Sequence, residues 1–284
     1  MLYSLYRIGR WFALMLPVSV CYAVAVFMAD VYYLFARKDK AELEYNLMVV
    51  LGNKNKKLIR RHIRGIFRNF AKYLVDFFRF AKLDQDYMVN YITMEGKENL
   101  DKALAAGNGV ILVGAHMGNW ELGGVIVASL GYPLSVIALE HKDSRINDFF
   151  LQQRSLANVK VIPVGAQLKN CFRVLRKNNI LGIVGDRNFS DHGIYMDFFG
   201  RKAVFPKGAA FFSLKTGASI VPTFTLRMKD DTFRQIFAPP IPRGFGENTE
   251  DGIATIMRRY ISVIEKYIKE YPDQWYAFRK MWKK

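Results

Sequence analysis

Cysteine is nearly absent: Cys21 and Cys171 stand far apart in 284 residues and match no metal-ligand or redox spacing. That excludes a disulfide scaffold and a cysteine-based zinc module. Only four histidines occur, and none sits in a His-Glu-x-x-His pattern. There is no Walker loop and no Gly-x-Ser-x-Gly elbow. Gly (21) and Pro (9) are too few for a collagen-like or low-complexity chain. Acidic residues are outnumbered, 25 against 42 Lys+Arg, for a formal net charge of +17. Such an excess implies a polyanionic neighbour, either nucleic acid or an anionic membrane. What is abundant is apolar: 51% of residues are hydrophobic, so a chain of this length buries a core without cross-links and is not disordered.

From Trp11 to Ala29 nineteen residues carry no charge. As a helix they nearly cross a hydrocarbon core of roughly 30 Å, with a kink at Pro17. A membrane anchor over residues 1–37 is the first reading, and a buried core helix is the second. A cleaved signal peptide fits poorly, because no small-x-small site closes the run. Arg7 and Arg10 precede the segment, whereas a dense series from Arg37 to Arg64 follows it. The positive-inside rule then puts everything after residue 37 on the cytoplasmic side. Residues 38–83 form a basic helical region. Within it, residues 56–82 place Ile59, Ile63, Ile66, Phe67 and Phe70 on one stripe and Arg60, Arg61, Arg64, Arg68 and Lys72 around it. Such a helix suits either an anionic lipid interface or the surface of the domain.

Residues 84–284 alternate short apolar runs with helical patterns. Strands are expected at 109–115, 134–139, 159–163, 180–185 and 219–224, with 232–238 as an edge strand. Helices are expected at 120–130, 145–157, 166–178, 207–217 and 249–270. Alternation of this kind predicts an α/β fold, a mostly parallel central sheet covered by helices on both faces.

Ligands of open α/β sheets collect beyond the carboxyl ends of strands. The first long strand runs into Gly114-Ala115-His116-Met117-Gly118-Asn119-Trp120-Glu121. An imidazole there suits base catalysis, and a carboxylate on its second nitrogen would fix its tautomer. His116 and Glu121 can meet only if His116 lies in the turn before the helix, since two residues five apart inside one helix diverge by about 140°. The bland reading is a strand-end His beside a first-turn Glu that favours the helix dipole. His62, His141 and His192 have no partner at a telling spacing and read as surface or structural residues.

That block resembles the catalytic block of the bacterial lysophospholipid and lipid A biosynthesis acyltransferases, within the glycerolipid acyltransferase superfamily and its His-x4-Asp/Glu motif. Further blocks follow in order. Arg154 falls where the family has an arginine, and Asp186 where it has a strand-end aspartate. Asp197-Phe-Phe-Gly200 with Pro206-x-Gly208, and Tyr271-Pro-Asp-Gln-Trp275 with Arg279 and Trp282 beyond, complete the likeness over about residues 95–283. Departures occur at Arg187-Asn188, Phe205 and Gly208-Ala209, where the family more often has Gln or His, a small residue or Thr, and Gly-Pro.

The resemblance implies an acyltransferase that moves a fatty acyl chain from a thioester to a lipid hydroxyl. The expected donor is acyl-ACP or acyl-CoA as co-substrate. The expected acceptor is an anionic lipid, a lipid A precursor first, then a lysophospholipid, aminoacyl lipid or glycolipid. His116 would be the base and Glu121 its orienting carboxylate. Backbone N–H groups near Gly118 and Asn119, or Arg154, would hold the oxyanion. Arg154, Arg187, Arg201 and Lys207 would bind acceptor phosphates, Asp186 would hold Arg154 or the acceptor, and Gly208 would shape the site. Acyl carrier protein and the bilayer are the expected partners. Neither a metal nor a redox cofactor is expected. The +17 charge keeps a nucleic-acid-binding protein as the alternative, though no nucleic-acid motif is present.

Overall fold

Pro17 divides the uncharged N-terminal run, because it lacks an N–H and its ring blocks the preceding turn. In the computed structural model, which describes residues 2–165, 168–188, 193–241 and 250–282, the run becomes α1 (Leu2–Met15) and α2 (Val18–Phe35). His192 therefore lies outside the described residues. Next come α3 (Arg37–Leu51), closed by Gly52 in the left-handed conformation, and α4 (Lys56–Phe78). Asn55 caps α4 by accepting hydrogen bonds from the Lys57 and Leu58 amides.

The apolar stripe of α4 faces the protein. Ile59, Ile63, Ile66 and Phe67 pack with Leu43, Leu47 and Tyr276, so of the two sequence-level readings of this helix the packed one holds. Its basic flank receives α2: Arg64 and Arg68 both hold Asp30, and Tyr22 donates to Asp76. Only 17% of α2 is buried, which excludes a core helix. By length and composition it is the one helix among the described residues able to cross a membrane. Trp11, Met15, Phe27, Met28, Leu34 and Phe35 are exposed on α1 and α2.

The α/β part begins with α5 (Gln85–Tyr91), β1 (Ile92–Glu95) and α6 (Lys97–Ala105). It continues through β2 (Val110–Gly114), α7 (Trp120–Ser129), β3 (Leu134–Ala138), α8 (Ser144–Leu156), β4 (Lys160–Pro163), α9 (Leu168–Arg176) and β5 (Ile180–Val184). A two-stranded antiparallel unit, β6 (Gly193–Phe198) and β7 (Arg201–Pro206), precedes α10 (Gly208–Thr216). The strands β8 (Ser219–Arg227) and β9 (Phe233–Phe237) and the helix α11 (Glu250–Glu270) follow. The central sheet has the order β1-β9-β8-β2-β5-β3-β4, parallel except between β8 and β9. The expected α/β fold with a mainly parallel sheet is therefore present. The run at 232–238 is not the edge strand it was expected to be: β1 pairs outside β9 and takes the edge.

Val110, Leu112, Val127 and Leu134 form the core beneath α6 and α7, whereas Ile111, Val113, Leu181 and Phe212 form the core beneath α9, α10 and α11. This follows from strand alternation in a sheet covered on both faces. The pairing of β3 with β5 covers only Leu134–Val136 against Ile180–Gly182. Beyond that point β3 stays with β4 as far as Ala138, and β5 stays with β2 as far as Val184. The sheet thus parts at its carboxyl edge.

Candidate active site

His116 sits in the turn between β2 and α7, as the spacing requires, but its partner is not Glu121. Its Nδ1 lies 2.6 Å from Asp186 Oδ1, just past the end of β5. Parallel pairing of β2 with β5 places both strand ends side by side, so the contact is tertiary. Asp186 is fully buried, and Trp275 Nε1 donates to its other oxygen at 3.1 Å. Burial alone would raise the Asp186 carboxyl. The charge and hydrogen bond of His116, with Arg187 and Trp275, outweigh burial and hold it well below the usual carboxylate range. The Asp186 bond at Nδ1 leaves Nε2 as the basic nitrogen.

A depressed carboxyl stabilises the fold at neutral pH. That contribution is complete above about pH 5 and is lost as pH falls toward the native value. Thermal melts of wild type and Asp186→Asn are therefore expected to differ at pH 7 and to converge on acidification; a gap that widens toward acid would contradict the assignment.

Glu121 instead binds Arg154. Two of its guanidinium nitrogens reach the Glu121 carboxylate, Nε to Oε2 at 2.9 Å and Nη2 to Oε1 at 2.6 Å, with each side chain 12% exposed. Burial lowers the Arg154 guanidinium and the Glu121 ion pair more than restores it. The five-residue spacing did bring Glu121 to the site, but α7 begins at Trp120 and turns the carboxylate toward α8 rather than back to His116. Glu121 and Arg154 thus tie α7 to α8 in the cavity wall, and Arg154 is already neutralised as a phosphate ligand.

Gly118 and Asn119 also differ from expectation. The Gly118 amide donates to Gln274 O and the Asn119 amide to Thr225 O, so both amides are already used. The Asn119 side chain caps α7 through the Leu122 amide and donates to Asp76 Oδ2 at 2.8 Å. Gly118 has φ +58°, and an added Cβ would lie 2.0 Å from Thr225 O. Gly118→Ala is expected to cost about 1–3 kcal/mol and to lower activity through the turn, as thermal denaturation and turnover of the same sample would show. The amides that remain are those of Trp120 and Glu121, the first two of α7, which have no intrahelical partner. They are the positive end of a helix beside His116.

The closing Pro272–Gln274 turn and Trp275 clamp this turn from outside. Met117 bridges to Trp275, the Tyr276 amide donates to His116 O, and Gln274 binds both the N–H and the C=O of Arg227. Beneath lies a cluster that the sequence reading overlooked. Asp76 accepts from Tyr22, Asn119 and Arg227, and Arg227 also reaches Tyr22 and Asp231. Its one sequence signal is that Asp76 is the sole acid between residues 56 and 82. Arg201, by contrast, is exposed on β7 and bonds the Tyr45 hydroxyl, away from the cavity. Among the described residues no cluster of three His, Cys, Asp or Glu could hold a metal.

His116 opens onto a cavity of about 910 Å³ whose lining is mostly apolar. Glu121, Arg154, Arg187, Lys207 and Gly208 also line it. A histidine backed by a buried carboxylate, in the wall of so large an apolar cavity, suits group transfer on a chain-bearing substrate.

The whole chain, residues 1–284, matches the family model described as bacterial lipid A biosynthesis acyltransferase, and the chain belongs to that family. It is accordingly an acyltransferase of lipid and glycolipid type. It is 24% identical over 264 residues to a phosphatidylinositol mannoside acyltransferase of Mycolicibacterium smegmatis, covering 92% of this chain and 85% of that one. The corresponding enzyme of Mycobacterium tuberculosis is 24% identical over 255 residues, 87% of this chain and 79% of its own. A lipid A biosynthesis palmitoleoyltransferase of Escherichia coli is 24% identical over 188 residues, 65% of this chain and 59% of that one.

Proposed function

We propose that this enzyme transfers a fatty acyl chain from an acyl thioester, acyl carrier protein being the first choice of carrier, to a hydroxyl of an anionic membrane glycolipid. The supporting observation is the His116–Asp186 pair at the head of an apolar cavity. A lipid hydroxyl is a poor nucleophile until a base removes its proton. His116 Nε2 takes that proton while Asp186 stabilises the imidazolium. The hydroxyl oxygen attacks the thioester carbonyl carbon, and the oxyanion faces the amide end of α7. Collapse of the tetrahedral adduct breaks the C–S bond, leaves a C–O ester, and returns the proton from His116 to the departing thiolate.

Arg187 and Lys207, both in the lining, suit an anionic headgroup. The relatives are named for a phosphatidylinositol mannoside and for lipid A biosynthesis, which favours a sugar-bearing acceptor over a lysophospholipid or aminoacyl lipid. The exposed apolar faces of α1 and α2 favour work at a bilayer, and the basic residues that follow them favour the inner membrane with the catalytic part on the cytoplasmic side. The +17 charge serves anionic lipid and an acidic carrier rather than nucleic acid. Detergent-solubilised protein given a radiolabelled acyl-carrier thioester and total bacterial lipid should label one lipid class. Mass spectrometry of a deletion strain should show that class lacking one acyl chain. Labelling of no lipid from either carrier or coenzyme A thioesters would end this reading.

A further inference from the structure

The cavity does not stay on one side of the sheet. Leu112, Val127, Leu134 and Val159, from the core beneath α6 and α7, all line it. Ile162, Cys171 and Phe212, from the core beneath α9, α10 and α11, line it too. Register accounts for the two sets. Gly182 pairs with both Leu112 and Val136, so these three share the α7 face. Val113 and Ile183 pair as the next step along, and Ile137 with Ile162 likewise, on the opposite face. The sheet is open between the two sets, because β3 leaves β5 after Val136 and Gly182. Val136, Ile137, Gly182 and Ile183 all border the cavity at that gap. Gly182 has no side chain to fill it, and even a Cβ there would come within 3.0 Å of Val136 Cγ1.

We propose that the cavity holds two alkyl chains, one on each face of the sheet, converging at His116. The thioester's chain lies on the α7 side and a chain carried by the acceptor on the α9/α10 side. This rests on the acyl-transfer reading above and gives each of the two substrates its own face of the sheet. Two features assign the sides. The α7 side runs into the core, with Leu112, Val127 and Leu134 at most 4% exposed. The other side leads out past Leu139 and Val164, which line the cavity and are 44% and 45% exposed. A lipid leaving a bilayer meets that apolar rim with its chain first. At about 910 Å³ the cavity lies near the top of the ~300–1,000 Å³ range of ligand sites. A single chain on one side would leave the other apolar lining to water that finds few polar partners there.

The test uses full-length protein in detergent, titrated with palmitate and read by native mass spectrometry. Wild type is expected to saturate at two palmitates. Gly124→Val should saturate at one, since a Cβ at Gly124 points at Leu134 and Val159, 3.6 and 4.0 Å away. Ile183→Phe should also saturate at one, with Cys171→Leu as a second filling of the same side if Ile183→Phe folds poorly. Turnover separates the two sides. Gly124→Val shortens the longest chain transferred, whereas Ile183→Phe raises the acceptor KM about tenfold without changing that length. Saturation of wild type at one palmitate, or a shortened donor chain in Ile183→Phe, overturns the two-chain assignment. If no thioester supports turnover, the acyl-transfer reading fails while a stoichiometry of two still stands; turnover with a stoichiometry of one sinks the two-chain assignment alone.

Discussion

Replacing His116 by alanine is expected to lower acyl transfer by about 10²–10⁴-fold with the fold intact, the usual worth of a positioned base. His116 is a safe site to truncate. Its side chain is 18% exposed at the cavity, and the turn around it is held by backbone bonds: Tyr276 to His116 O, Gly118 to Gln274 O and Asn119 to Thr225 O. The fold should therefore persist while turnover collapses, with a lower thermal midpoint because buried Asp186 loses the partner that holds its carboxyl down. Asp186→Asn should fall in the same direction, because the imidazolium formed during transfer loses its counter-charge. Glu121→Gln should behave differently. It weakens a bidentate pair with Arg154 in the cavity wall, so its loss should appear in stability and substrate KM as well as in kcat. If Glu121→Gln abolished kcat as fully as His116→Ala while Asp186→Asn did not, the pairing described above would be wrong.

Replacing Asp76 by alanine is expected to give the largest loss of stability, about 3–5 kcal/mol, since it strands Arg227 in the interior without its partner. Both side chains are 5% exposed. Burial pushes the Asp76 carboxyl up from its ordinary value, and Arg227, Tyr22 and Asn119 pull against that. For a chain of this length the midpoint should fall by on the order of 10 °C. Activity should fall as well where the variant remains folded, because Asn119 uses Asp76 to hold the cap of α7 beside His116. Tyr22→Phe, which removes one donor and leaves the Asp76–Arg227 ion pair, should cost far less. A midpoint for Asp76→Ala within 2 °C of wild type would show that the cluster is not the keystone of this face. The same bonds carry a structural consequence: α2, the helix with the exposed apolar flank, is joined through Tyr22 and Asp76 to the turn that carries His116.

What the sequence determined by itself was whatever depends on local order along the chain. Buried parallel strands read as continuous β-branched runs, so β2, β3, β4, β5 and β8 were legible with their helices between them. The short β1 and the hairpin β6–β7 lack such a run and were not seen. The turn holding His116 was legible because Gly118 and Asn119 interrupt the pattern just where a strand must become a helix.

Tertiary structure decided the partners. A carboxylate five residues from a histidine invites pairing, but the neighbour of β2 in space is β5, which delivers Asp186 from seventy positions away. Glu121 is then left to Arg154 on α8. Adjacency of strands in a sheet is set by crossover connections and not by sequence distance, so spacing could find the histidine and not its carboxylate partner. The apolar stripe of α4 and the run at Trp11–Ala29 were equally visible as patterns. Only packing showed that the first faces the domain and the second keeps one side bare, because hydrophobic periodicity fixes which residues share a face and says nothing about what covers it.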